Sequence, residues 1–157
     1  MKIYYLIFPL LLFPLAEAVA LEFKVAYVVD GDTITLQDQN KNLHKIQIAG
    51  IDAPEKSQPA WRRAKEGLSE KLQDKVVTVN KTTISFRSQI FLNGEDVGLW
   101  QLTRGRAWVD RNASEQLLAA DLKKYQQAQL NAQQKRIGLW QLKEAIPPWE
   151  YKLRNRP

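Results

Sequence analysis

The stretch over residues 30–55 constrains the fold of this chain more than any other. It holds two runs rich in Val and Ile, and each run ends in carboxylates: Asp30 and Asp32 after the first, Asp52 and Glu55 after the second. Such runs, bounded by Gly, Asn or Pro, predict strands. If the two strands pair, the four carboxylates can converge at one end of a sheet. Hard oxygen ligands suit Ca²⁺ better than Zn²⁺ in a chain with no Cys and one His.

Six short motifs follow one another along the chain. They are Asp30-Gly31-Asp32-Thr33, Ala49-Gly50-Ile51-Asp52-Ala53-Pro54-Glu55, Asn93-Gly94-Glu95-Asp96-Val97, Gly105-Arg106-Ala107-Trp108-Val109, Gly138-Leu139-Trp140 and Pro147-Pro148-Trp149-Glu150. An Asp-Gly-Asp triplet alone is common in turns, whereas the whole ordered set is specific. Over residues 23–151 the chain resembles the staphylococcal-nuclease-like (thermonuclease) family. The resemblance implies an α+β, mainly β fold: a five-stranded OB-type barrel with about three appended helices.

The resemblance also implies roles for the carboxylates. Asp32 and Asp52 would be ligands of a Ca²⁺, the backbone carbonyl of Ala53 would be a third ligand, and Asp30 would lie behind them. Glu55 would position or deprotonate the attacking water. Family members cut DNA and RNA endonucleolytically and leave 3′-phosphates. This chemistry needs a metal ion and positive side chains, because the transition state gathers negative charge on the non-bridging oxygens.

The chain departs from the family pattern at its positive side chains. The first phosphate-binding arginine lies eight residues before the glutamate, where this chain has Gln47. Lys45, on the same strand face, is a substitute, although a lysine cannot reproduce a bidentate guanidinium. Arg87 matches the second arginine, with about two residues missing before Asn93. Arg111 stands where the best-known members carry a base-stacking tyrosine.

Composition narrows the class of protein further. The chain has 157 residues, 45% of them hydrophobic, which suffices for one domain with its own core. The formal net charge of +6 favours a polyanionic partner, and DNA or RNA fits that description. The absence of Cys excludes a disulfide framework and thiolate catalysis. We expect a monomer.

The first twenty residues predict a secretory signal peptide, which leaves a single domain over residues 21–157. Lys2 precedes an apolar run at residues 3–15, and two small-x-small cleavage sites end at Ala18 and Ala20. The run is shorter than the ~20 apolar residues of a membrane-spanning helix. We therefore expect a secreted or periplasmic protein whose mature form is not bound to a membrane.

Hydrophobic periodicity predicts the elements of the domain. Strands are expected at residues 21–29, 33–36, 43–50, 76–80, 84–92 and 107–109. A helix of about three turns is expected after Ala60, with Trp61 in the core, and a second helix at residues 97–103. A long third helix is expected to begin at the N-cap Ser114 and to stop at Gly138.

The faces of the long helix and the remaining parts of the chain are predicted from the same pattern. The helix is expected to pack on the domain with the face that carries Leu118, Leu122, Tyr125 and Ala132. The opposite face is expected to be solvated, and it carries Lys123, Lys124, Gln127 and Gln134. His44 is expected at the surface without a catalytic role. The aromatic residues of the tail are expected to dock on the domain, and its last basic residues, Lys152, Arg154 and Arg156, to stay mobile.

Two functions remain open at this point. The first is an active, secreted, Ca²⁺-dependent endonuclease, which Asp32, Asp52 and Glu55 favour. The second is a degenerate nuclease-fold protein that binds nucleic acid or another partner without cutting, which Gln47 and the altered surroundings of Arg87 favour. We favour the nuclease. Its preference between DNA and RNA does not follow from the sequence.

Overall fold

The computed structural model describes residues 20–80 and 86–155, so the predicted signal peptide lies outside the described residues except for Ala20. The strands are β1 (Ala20–Val28), β2 (Thr33–Gln37), β3 (Leu43–Ile48), β4 (Ile51–Asp52), β5 (Val76–Asn80), β6 (Arg87–Ser88), β7 (Ile90–Leu92), β8 (Glu95–Asp96) and β9 (Trp108–Val109). The α-helices are α1 (Trp61–Leu72), α2 (Val97–Thr103), α3 (Ala113–Gln116), α4 (Ala119–Gln134) and α5 (Pro148–Arg154), and a 3₁₀ helix spans Gly138–Gln141.

Strands β1, β2 and β3 form an antiparallel meander, as their sequence pattern predicts. Thr33 at the start of β2 pairs with Gln47 near the end of β3, and Thr35 pairs with Lys45. Along β3 the buried side chains alternate with more exposed ones, because successive residues of a strand point to opposite faces. Lys45 and Gln47 therefore share the face that is not buried, and Ile46 faces the core.

The segment from Arg87 to Leu92 pairs with two separate strands of the sheet, β3 and β5. The strand order is β6-β3-β2-β1-β5-β7-β8, and β6 pairs parallel to β3 while β7 pairs antiparallel to β5. Only Gln89 separates β6 from β7, so one short segment reaches both β3 and β5. Strands β1, β2, β3, β5 and the β6–β7 segment are the five strands of an OB-type barrel. The predicted fold class is confirmed; residues 84–85 of the predicted fifth strand lie outside the described part of the chain.

The core fills the inside of this sheet and the space under α1. Its fully buried side chains include Val25, Ile34, Leu36, Ile48, Ile51, Leu68, Leu72 and Ile90. In α1 the predicted spacing is confirmed, because Ala64, Leu68 and Leu72 are buried on one face. Removing this apolar surface from water is the main term that stabilises the fold.

The prediction of one long helix after Ser114 is wrong. Leu117 is extended, with φ −123° and ψ 149°, and divides the segment into α3 and α4. Its side chain is buried against Gly50, where an added Cβ would lie 2.4 Å from Leu117 Cδ1. Burial of Leu117 turns Leu118 outward, so Leu118 is 75% exposed instead of packed. The helix ends at Gln134, before Gly138.

The C-terminal segment also differs from its prediction, because α5 orders its basic residues as far as Arg154. Pro148 is buried at the first helical position, which a fixed φ suits. Gln58 Nε2 donates a 2.6 Å hydrogen bond to the carbonyl of Ile146, which ties the segment before α5 to the loop after β4. Arg156 lies outside the described residues. No helix in the described part of the chain has the length and apolar character needed to cross a membrane.

Candidate active site

The predicted site residues line two neighbouring depressions where β1, β3 and β4 end. The larger cleft has a volume of about 570 Å³, and its lining includes Asp30, Asp32, Lys45, Gln47, Ala53, Glu55, Trp61, Lys65, Phe86 and Lys152. The smaller depression, of about 200 Å³, is lined by Asp52, Arg87, Asp110, Arg111, Asn112, Trp149, Lys152 and Leu153. Lys152 belongs to both. The structure thus brings the predicted residues to one region, with Asp52 and Arg87 on one side of Lys152.

Asp32 joins the two carboxylate-bearing segments. Its side chain is 5% exposed. Thr33 Oγ1 donates to Asp32 Oδ1 at 2.8 Å, and the backbone N–H of Ala53 donates to Oδ2 at 2.7 Å. Asp30 Oδ1 accepts from the backbone N–H of Asp32 at 3.1 Å, so Asp30 lies beside it. The convergence that the sequence predicts for these segments is therefore present.

Gly31 allows this approach of the segments. A Cβ at Gly31 would lie 2.7 Å from the Cβ atoms of both Ala53 and Ala64, which is closer than real side chains come. The carbonyl of Gly31 accepts a 2.7 Å hydrogen bond from the buried Gln101 Nε2, so α2 holds the turn from below. The glycine of the Asp-Gly-Asp motif is thus required by packing of the turn against Ala53 and α1.

Burial, and to a smaller extent repulsion between neighbouring carboxylates, disfavours the charged forms of Asp32 and Asp52. Burial raises the pKa of Asp32 well above its usual range, and the charges of Asp30 and Asp52 raise it further. Burial likewise raises the pKa of Asp52 to about 6; Lys152 and Arg87 lower it, while Asp110 and Glu55 raise it. A cation bound here would relieve this repulsion.

The residues present fit a hard cation, although Ca²⁺ stays a prediction. Among residues 20–80 and 86–155, no three His, Asp or Glu side chains form a ready-made metal cluster. The predicted set needs only two carboxylates, Asp32 and Asp52, with the carbonyl of Ala53. Each oxygen of Asp32 accepts one hydrogen bond, which leaves a lone pair on each for a cation. Such all-oxygen donors, completed by water, suit Ca²⁺.

The raised pKa of Asp52 predicts that the metal-free protein loses stability as the pH rises. A carboxyl group that holds its proton more tightly when folded contributes most below its ordinary pKa of 3.8, and this contribution is lost as the pH rises through about 6. We expect Asp52 to account for roughly 1–3 kcal/mol of that fall. Denaturant unfolding in chelator from pH 4 to 7 measures it. Asp52→Asn should flatten the curve; an unchanged slope would assign the effect to other groups.

Glu55 lies on the loop after β4 and faces the larger cleft. Its backbone N–H donates to Gln58 Oε1 at 2.9 Å, and Gln58 is itself 3% exposed, so the loop conformation is held from within. Glu55 Oε1 lies 2.8 Å from Lys152 Nζ on α5, with 36% of the Glu55 side chain exposed. The predicted water-positioning carboxylate thus keeps access to solvent. Its lysine partner was missed by sequence reasoning, although Pro148 at a helix start was a signal for α5.

The positive side chains are arranged differently from the family pattern. The parallel pairing of β3 and β6 places Gln47 opposite Arg87. Arg87 Nη1 lies 2.6 Å from Asp110 Oδ2, and Asp110 is 7% exposed. Asp110 also accepts hydrogen bonds from Gln116 Nε2 and the backbone N–H of Asn112. Arg87 is thus oriented by a buried carboxylate that sequence reasoning did not single out.

Two aromatic side chains stand at the larger cleft. Trp61 was predicted in the core, but it is only half-buried and lines the cleft. It is the first residue of α1, and helical side chains lean toward the N-terminus, so it projects past the start of the helix. Phe86, 62% exposed, lines the same cleft. His44 contacts Asp38 at 3.0 Å and does not line either depression.

The protein is of the OB-fold class, and it carries buried carboxylates and positively charged side chains at the ends of its strands. The chain belongs to the family of staphylococcal nuclease homologues, whose family model matches residues 45–142. It is 30% identical over 154 residues to an uncharacterized endonuclease of Haemophilus influenzae, covering 94% of this chain and 83% of the relative. It is 29% identical over 137 residues to an uncharacterized endonuclease of Escherichia coli O157:H7, covering 84% and 85%. The staphylococcal-like nuclease CAN1 of Arabidopsis thaliana is 29% identical over 120 residues, covering 71% of this chain and 34% of the relative.

Proposed function

We propose that this protein is a Ca²⁺-dependent endonuclease that hydrolyses phosphodiester bonds of DNA, RNA or both. The observation that carries the proposal is the hydrogen bond from Ala53 to the buried Asp32, which joins the two segments that bear Asp32, Asp52 and Glu55. Membership of the staphylococcal nuclease homologue family, and relatives that are named endonucleases, support a nuclease.

The chain's own residues divide the work of such a reaction. Asp32, Asp52 and the carbonyl of Ala53 would hold the Ca²⁺, which supplies positive charge next to the phosphate when bound. Glu55, which remains open to solvent, would hold the attacking water and accept its proton. Arg87, oriented by Asp110, would donate to a non-bridging phosphate oxygen.

The lining of the larger cleft supports a nucleic-acid substrate with unpaired bases. Lys45 and Lys65 can meet the phosphates, while Trp61 and the exposed Phe86 offer faces on which bases can stack. The formal net charge of +6 adds attraction for a polyanion. The predicted signal peptide over residues 1–20 suggests that the enzyme acts outside the cytoplasm, where Ca²⁺ suffices for a site of modest affinity.

A zymogram on DNA tests the proposed function. The protein is expected to clear the DNA in Ca²⁺ and to leave it intact after a chelator is added. RNA in a parallel gel compares the two substrates. Clearing that persists in chelator would contradict the dependence on Ca²⁺. If neither nucleic acid is cut in Ca²⁺, the proposed enzyme is wrong.

A second candidate function is a binding protein that holds nucleic acid without cutting it. Gln47 favours this candidate, because it places an uncharged amide where the family has a phosphate-binding arginine. Binding of a fluorescent oligonucleotide without any cleavage in Ca²⁺ would support it over the enzyme.

Replacing Gln47 by arginine is expected to raise the rate of DNA cleavage. A charge-assisted hydrogen bond to phosphate is about twice as strong as a neutral one. In a partly dry site we expect a gain of roughly 10–100-fold in single-turnover rate in Ca²⁺.

Lys45 offers a matched comparison for this prediction. It lies two residues from Gln47 on the same face of β3, so its long side chain can reach toward the same space. If Gln47→Arg gains nothing and Lys45→Ala abolishes cleavage, the charge has moved along the strand and Gln47 is not a defect.

A further inference from the structure

Lys152 extends from the C-terminal helix into the region between the two depressions. Its Nζ lies 2.8 Å from Glu55 Oε1, and its side chain lines both the cleft that contains Asp32 and the depression that contains Asp52. It is thus a cation beside the carboxylate that would hold the attacking water. The family motifs quoted from the sequence assign it no role.

The charges around Lys152 keep it protonated. Burial lowers its pKa, but the hydrogen bond to Glu55 and the charges of Asp52, Glu55 and Asp32 outweigh burial and raise it. A lysine ammonium group has three N–H donors. The Glu55 contact uses one of them, and 54% of the Lys152 side chain is exposed, so a ligand in the cleft can reach the ammonium group.

The segment that leads into α5 is tied to the Glu55 loop. Gln58 binds the carbonyl of Ile146, and Gln58 also holds the backbone of Glu55. Within α5, Arg154 pairs with Glu150 at 2.6 Å across one helical turn, which supports the helix itself. The residue that fixes the Glu55 loop therefore also fixes the segment that delivers Lys152.

We propose that Lys152 is a phosphate-binding residue of this site and adds positive charge to a cleft in which Gln47 carries none. The proposal rests on the proposed function. A water held by Glu55 attacks a phosphorus atom next to it, so an ammonium group within 2.8 Å of Glu55 can also reach that phosphate. Lys152 binds through its free donors and takes up negative charge that develops on a non-bridging oxygen.

The contacts of Lys152 favour this role over an internal block of the metal site. Its ion pair is with Glu55, which is not a predicted metal ligand. The oxygens of Asp32 accept instead from Thr33 and Ala53. Lys152 thus stands beside the predicted cation position and acts on the ligands only through its charge.

The experiment compares Lys152→Met and Lys152→Arg with Lys143→Met, a control at an exposed lysine outside both depressions. Single-turnover cleavage of a single-stranded DNA oligonucleotide is measured in Ca²⁺. Binding of the same oligonucleotide is measured by fluorescence anisotropy in chelator, over a range of salt concentrations. We expect Lys152→Met to lower the rate by roughly 10–100-fold and the salt slope by ~0.7, the value for one lost phosphate contact on a single strand. Lys152→Arg should retain most of both, and Lys143→Met should match the wild type.

The other possible results separate failure of this proposal from failure of the proposed function. Faster cleavage by Lys152→Met would show that Lys152 blocks the metal site. Unchanged rate and salt slope would remove it from the site while the proposed function stands. If wild type cuts nothing, the proposed function fails, and the salt slope alone decides whether Lys152 binds phosphate. A lowered melting temperature in both Lys152 variants, with equal loss of cleavage, would make its role structural.

Discussion

Replacing Glu55 by glutamine is expected to lower the rate of DNA cleavage by ~10²–10⁴-fold, the usual effect of losing a general base. Glutamine keeps the shape of the side chain but cannot accept the proton of the attacking water. The loop should keep its conformation, because its contact with Gln58 uses the backbone N–H of Glu55. Single-turnover cleavage in Ca²⁺ measures the rate, and oligonucleotide anisotropy in chelator measures binding.

Binding should not weaken in Glu55→Gln. The change removes one negative charge from the cleft and leaves Lys152 without its ionic partner, and both effects favour a polyanion. Glu66→Gln, at an exposed position of α1, is the matched control and should cut at the wild-type rate. Wild-type cleavage by Glu55→Gln would remove Glu55 from the mechanism.

Replacing Asp52 by alanine is expected to abolish Ca²⁺ binding. Two carboxylates and one carbonyl form the proposed protein ligand set, so the loss of one carboxylate removes half of its formal charge. In wild type, Ca²⁺ at about 100 times its dissociation constant should stabilise the fold by ~2.7 kcal/mol. Calorimetric titration measures the binding, and the shift of the melting temperature measures the stabilisation; both should vanish in Asp52→Ala.

Two further variants sharpen this measurement. Asp52→Asn keeps the side-chain volume and also removes the charge, so it should lose Ca²⁺ without the cavity that alanine leaves. Asp74→Ala removes a carboxylate that is 69% exposed in a surface ion pair with Lys24, and it should bind Ca²⁺ as the wild type does. Equal binding by wild type and both Asp52 variants would disprove the assignment of this ligand.

Sequence reasoning failed where burial of one side chain overrode a helical pattern. The helical period through Leu118 and Tyr125 predicts one helix, and local propensity gives no reason to break it. Only the packing of Leu117 against Gly50 shows why the chain is extended there. The prediction that Trp61 lies in the core was wrong for a related reason, because an apolar residue at the first position of a helix has no preceding turn to cover.

The sequence by itself determined the strand meander, the approach of Asp32 to the segment of Asp52, and the family. Alternation of apolar residues and the ordered motifs are local signals that need no knowledge of distant contacts. Tertiary structure alone decided which charges surround those carboxylates. Asp110 orients Arg87 from 23 residues away in the chain. Lys152 contacts Glu55 from the C-terminal helix, which is distant from Glu55 in sequence. Such pairs depend on how separate elements pack. No periodic pattern of charged residues in the sequence predicts a partner so distant along the chain.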